Sequence, residues 1–154
     1  MSKLIIEQFN FNSFSDSRGV LTAIEGNSSI PFDIKRIFYM HNVPAQEDRG
    51  GHAHRYTKQV LIACHGSVDV VCSDGVNEFS ITLDDPSKGI LVPEMTWTNL
   101  KNFKNDGVCI VLADSAYVMS HSIRTWAEYL KVRKLGSVRI PNSASKSTFG
   151  VNGL

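Results

Sequence analysis

A chain of 154 residues is long enough for one domain with a hydrophobic core. Its composition, 42% hydrophobic and 20% charged, is that of an ordinary soluble globular protein rather than a disordered or fibrous one. A formal net charge of +1 leaves no electrostatic footprint for nucleic acid or an anionic membrane, and no apolar run approaches the length that crosses a bilayer. Glu7 interrupts the opening residues too early for a secretory signal, and the three cysteines, Cys64, Cys72 and Cys109, lie in apolar runs without framework spacing. Both features fit a cytoplasmic protein with reduced thiols.

From Leu4 to Leu112 the pattern is mostly β. Residues 20–24, 34–40, 59–64, 67–72, 78–83, 89–92 and 108–113 are rich in β-branched and aromatic side chains and read as strands. His65-Gly66-Ser67 and Ser73-Asp74-Gly75 are compact enough for hairpin turns, and residues 84–87 form a polar turn. Many short strands at regular spacing predict a sandwich or barrel. Near residue 121 the period changes. Ile123, Trp126, Ala127 and Leu130 recur at helical spacing, which predicts one amphipathic helix capped by Ser120 or Ser122. The domain therefore spans residues 1–135. Residues 136–154 are small and polar, like a linker, before an apolar ending; the tail either packs back on the barrel or leads to a further domain.

Arg49-Gly50-Gly51-His52-Ala53-His54 carries the most chemistry. In an extended segment His-x-His puts both imidazoles on one face, as a metal site or a proton-transfer pair requires. Arg49 offers fixed positive charge, and Tyr39, at the end of the preceding strand, offers a hydroxyl that can relay a proton. Taken singly, an arginine near Glu47 and Asp48 is more often a solvated one, and a tyrosine at a strand end is more often structural. The case rests on their combination.

The spacing of His52, His54, Gln59 and Gly66 resembles the first motif of a cupin barrel, with Gln59 in the place of its acidic ligand. Thr98 stands where the second motif normally brings a histidine. The chain also resembles the sugar nucleotide 3,4-ketoisomerases acting on dTDP-4-keto-6-deoxy-D-glucose, over about residues 5–130. The carriers are residues 16–25, 30–39 and Arg49–His54, then Gln59-Val60-Leu61, Gly66-Ser67, Asp74-Gly75 and residues 81–84. It departs from them at Thr98, where relatives have histidine after tryptophan, and at residues 115–122, where they carry an acidic, tyrosine-rich phrase.

The resemblance implies an all-β fold, a cupin-type β-barrel (jelly roll) with a short C-terminal α-helix, and a homodimer in which residues 4–9 pair with the other subunit. It implies conversion of the dTDP-linked 4-keto sugar to its 3-keto isomer, for deoxyamino sugar biosynthesis leading to O-antigen, with no cofactor and no metal. His52, His54, Tyr39 and Arg49 are then the catalytic set. Arg18, Gly19, Lys35, Gln59, Trp97 and Tyr117 are the substrate-binding set. Arg18-Gly19 points to a galacto-type product, although a plain turn accounts for that pair equally well. The reaction needs a base of near-neutral pKa, a donor to the developing oxyanion and a proton relay. His52 is placed first as the base, with the choice between it and His54 left open. A metal-dependent cupin, a non-catalytic sugar-nucleotide binding module and an epimerase remain as alternatives.

Overall fold

The computed structural model describes residues 3–134, so the expectation for the 136–154 tail falls outside the described residues. Two long strands organise the molecule: β6 (Gln59–Ser73) and β9 (Trp97–Ala113), paired antiparallel along most of their length. Both bend, and each serves two sheets. The Gln59–Ala63 end of β6 and the Cys109–Ala113 end of β9 lie in one sheet, flanked by β8 (Lys88–Val92) with β1 (Glu7–Asn10) on one side and by β4 (Arg36–Met40) on the other. The opposite ends lie in the second sheet with β7 (Glu78–Leu83), β5 (Arg49–His54) and the short β10 (Ser122–Ile123). This is the expected cupin-type jelly roll. The bent strands join its two sheets, and hydrogen bonding does not close it into a full ring among the described residues.

Period-two alternation sorts the side chains. Leu61, Ala63, Val68, Val70, Cys109 and Val111 face the core between the sheets. Val60, Ile62 and Leu112 face outward and are covered by Phe11, Ile30 and Phe32 from the N-terminal segment. Because both faces of β6 are buried at Gln59–Ala63, that run reads as continuously apolar in sequence.

The structure corrects several expectations. Residues 59–64 and 67–72 are one strand, not a hairpin. Around His65-Gly66-Ser67 the pairing with β9 slips register, and Gly66 takes φ +60° with Lys104 O so close that any Cβ would clash. Cys64 is on the outward face by ordinary alternation and exposed, whereas Cys72 and Cys109 are buried; all three are free thiols. Glu7–Asn10 pairs on one side with Lys88–Leu91 of its own chain and is the edge strand there, with Phe9 and Phe11 stacked over the outer core layer. The helix α1 (Trp126–Val132) begins later than predicted. Thr125 caps it by accepting from Glu128 N, and Ile123 belongs to β10. The turns at Ser73-Asp74-Gly75 and at residues 84–87 stand as read: Asp74 accepts from Val76 N and Asn77 N, and Asp85 accepts from Ser87 N.

One hairpin stands apart. β2 (Asn12–Asp16) and β3 (Gly19–Ala23) pair only with each other, and Phe14, Val20 and Leu21 on them are largely exposed. No helix among the described residues is long and apolar enough to cross a membrane.

Candidate active site

The two glycines before the histidines shape β5. Gly50 and Gly51 have φ +85° and +72°, and a Cβ on Gly50 would sit 2.6 Å from Thr98 O. The pairing with β9 slips between Gly50 and His52, and after this bulge His52 lies opposite Thr98 and His54 opposite Ser122. Ala53, between them, turns to the other side and packs with Trp97 and Ile123. Both imidazoles therefore face one open cleft. Its polar wall carries Arg49, His52, His54, Thr98 and Arg124, and Gln59 with Thr57 stands beyond. Phe38, Met40, Leu61, Leu100 and Val111 make an apolar floor.

The rings of His52 and His54 meet edge to face, with Nε2 to Nε2 at 3.1 Å. One nitrogen must donate and the other accept. The backbone carbonyl of Gly50 favours a proton on His52, and with Nε2 turned to His54 that proton belongs on Nδ1. A neutral His52 then has its lone pair at Nε2 and accepts from His54 Nε2–H. His54 Nδ1 is left as an acceptor, and Ser122 Oγ stands 3.4 Å away to donate to it. The chain of donors runs Ser122, His54, His52.

Burial lowers the pKa of both rings. For His52 the Gly50 carbonyl opposes this, while the charges of Arg124, Arg49 and Arg36 add to it. For His54 burial comes first, then His52, Arg36 and Arg124, and its pKa falls to about 3. The pair is neutral at physiological pH, as a general base must be.

Sequence reasoning missed Arg36, Arg124 and Ser122. Arg36 starts β4 on the same face as Phe38 and Met40. Its guanidinium carbon lies 4.7 Å from the Phe38 ring centre and 5.1 Å from that of Tyr117, and its Nε is buried with no hydrogen-bond partner among the described residues. Arg124 donates to Tyr117 Oη at 2.9 Å. Tyr117 thus bridges two arginines beside the histidines. Alternation within residues 34–40 could have placed Arg36 inward. No sequence signal brings Arg124 or Ser122 there, because the β5–β10 pairing links residues far apart.

Other expected positions are not in the cleft. Tyr39, expected at the mouth, is 60% exposed on the outer face of β4 beside His41, since Arg36, Phe38 and Met40 take the inner face. Trp97, expected to bind substrate, faces away because its neighbour Thr98 faces the cleft. It packs on Trp126 and Tyr129 with ring centres 5.3 and 5.5 Å apart. Lys35 precedes β4, where its amine pairs with Asp33 and its N–H bonds Ala113 O. Arg18 pairs with Asp16 at the tip of the exposed hairpin, with Gly19 beside it at φ +119°, away from the cleft of its own chain. Gln59 lines the cleft as expected.

The cleft is a poor metal site. Two imidazole nitrogens 3.1 Å apart could supply two ligands, but the other two expected positions hold Gln59 and Thr98. Among the described residues no three His, Cys, Asp or Glu side chains converge.

Comparison with known proteins places this geometry. Residues 5–134 match the family model FdtA: WxcM-like, C-terminal. The chain is 41% identical over 122 residues to the TDP-4-oxo-6-deoxy-alpha-D-glucose-3,4-oxoisomerase of Aneurinibacillus thermoaerophilus, covering 79% of this chain and 88% of that one. It superposes on the sugar 3,4-ketoisomerase QdtA of Thermoanaerobacterium thermosaccharolyticum, solved in complex with TDP, with a TM-score of 0.82 at 35% identity, covering 84% of this chain and 95% of that one. A 3,4-ketoisomerase from Helicobacter canadensis gives 0.83 at 36% identity, covering 86% and 99%. With a cupin-type fold, a same-face imidazole pair and this match over nearly all its described length, the chain belongs to the FdtA, WxcM-like C-terminal family and is an isomerase.

Proposed function

We propose that the protein is a 3,4-ketoisomerase of dTDP-4-keto-6-deoxy-D-glucose that works by acid–base catalysis without a metal. The observation that carries this reading is the neutral His52–His54 pair, facing an open cleft with three arginines close by. The substrate displaces the His54 Nε2–H from His52, and the freed His52 Nε2 lone pair takes the proton from carbon 3, which is acidic because it adjoins the carbon 4 ketone. The electron pair forms the C3–C4 double bond, and the ketone oxygen becomes an enediolate oxygen. The hydroxyl proton passes from the carbon 3 oxygen to the carbon 4 oxygen through His54, and carbon 4 recovers the proton as the carbon 3 ketone forms. The Gly50 carbonyl supports His52 as the base, since it favours the imidazolium. Arg49 and Arg124 supply charge for the pyrophosphate or the enediolate. Tyr117 binds alongside them.

The galacto-type product and a place in deoxyamino sugar biosynthesis, in the cytoplasm, complete the reading. A homodimer fits it: the β2–β3 hairpin is unpaired in its own chain and exposes Phe14, Val20 and Leu21, which a second copy could cover. The deciding experiment is NMR of the product from the keto sugar, coupled to a 3-aminotransferase. Carbonyl migration with an axial carbon 4 hydroxyl is expected. An epimerised 4-ketone, or unchanged substrate, refutes the reading. His52→Asn should abolish exchange of the carbon 3 proton with solvent deuterium; retained exchange there with loss in His54→Asn would reverse the two roles.

A further inference from the structure

Gln59 opens β6 with only 7% of its surface exposed, and its side chain lines the cleft. Its Nε2 is buried with no hydrogen-bond partner among the described residues. Around it the cleft wall is apolar: Leu61 two residues along the same face, Val92 paired with it on β8, and Val111 on β9. A buried amide N–H without a partner is a cost to folding that a leucine here would not carry. Register gives a second observation. Gln59 pairs with Ala113, and Ala113 also pairs with Arg36, so the amide and the guanidinium stand in one row on either side of a methyl group. Arg36 Nε is the other unpartnered buried donor of that row. Two unsatisfied buried donors in one row, with a methyl group between them, mark a place for an oxygen acceptor.

We infer that the Gln59 amide N–H binds the ketone oxygen of the sugar and holds it as it becomes the enediolate oxygen, which makes Gln59 a catalytic residue. The inference rests on the ketoisomerase reading. The need is chemical: enolisation puts negative charge on that oxygen, and a donor fixed in an apolar wall is worth more to it than one in water. A carboxylate at position 59 would repel the same oxygen.

The test compares Gln59→Leu and Gln59→Glu with the unsubstituted protein, reading kcat, KM, the inhibition constant of TDP and the melting temperature. Gln59→Leu is expected to lower kcat about 100-fold, the effect of losing one such donor, with TDP inhibition unchanged and melting temperature equal or higher. Gln59→Glu is expected to be slower still at neutral pH and to gain on the unsubstituted enzyme as pH falls, because a protonated carboxyl donates again. A Gln59→Leu enzyme with the unsubstituted kcat overturns the inference. So does a kcat loss matched by equally weakened TDP inhibition, which would put the amide on the nucleotide. Failure of the ketoisomerase reading looks different: the unsubstituted protein then leaves the keto sugar unchanged, which overturns both.

Discussion

Acidification should destabilise this protein well before its carboxylates titrate, and His54 is the reason. Burial, His52 and the arginines at 36 and 124 hold its pKa at about 3 in the folded chain, against 6.5 for a free imidazole. A depressed folded pKa contributes stability that is complete above pH 6.5 and is lost as pH falls towards 3, because the unfolded chain takes up the proton first. At pH 5 the unfolded state gains about 1.5 pH units of binding free energy, or about 2 kcal/mol at about 1.4 kcal/mol per unit. His52, whose pKa is lowered too, adds to the loss in the same direction. Asp16, Asp69, Asp74 and Asp85 are all held below their ordinary 3.8, so their own loss of stability comes at lower pH. Urea unfolding between pH 7.5 and 5 measures it. A loss of about 2 kcal/mol lowers the midpoint by roughly 1 M at a typical slope. His54→Gln should flatten that dependence. A midpoint that does not move, or an equal drop in His54→Gln, would refute the argument that these rings are buried and neutral.

Ser122→Ala removes the donor to His54 Nδ1. It should lower kcat by about 5- to 10-fold, equivalent to the ~1 kcal/mol of one hydrogen bond, with KM little changed in steady-state kinetics. Gly50→Ala forces a Cβ to 2.6 Å from Thr98 O at φ +85°, and should cost about 1–3 kcal/mol in urea unfolding along with most of the activity. Thr125→Ala, by removing the cap of α1, should cost about 1 kcal/mol in the same assay. Prolonged chelation should leave turnover unchanged; loss restored by one added metal would overturn the metal-free reading.

The sequence by itself determined the central strands, the turns at Asp74 and Asp85 and the shared face of His52 and His54, because these follow from period-two alternation and local turn chemistry; it did not show β1, β2 or the 97–107 part of β9, whose polar residues carry no such pattern. Its ordered motifs also carried the family. What it could not determine is where strands bend and which distant residues meet. A glycine between two apolar runs reads as a hairpin, and only packing against residues 104–107 makes Gly66 a bend inside one strand. Side-chain type alone put Tyr39 and Trp97 in the cleft. The tertiary structure sends both the other way, because Phe38 and Thr98, their immediate neighbours, face in and a strand cannot aim two successive side chains at one site. Arg124 and Ser122 reach the histidines only through a pairing between segments some seventy residues apart, and such long-range pairing leaves no periodic trace in the chain.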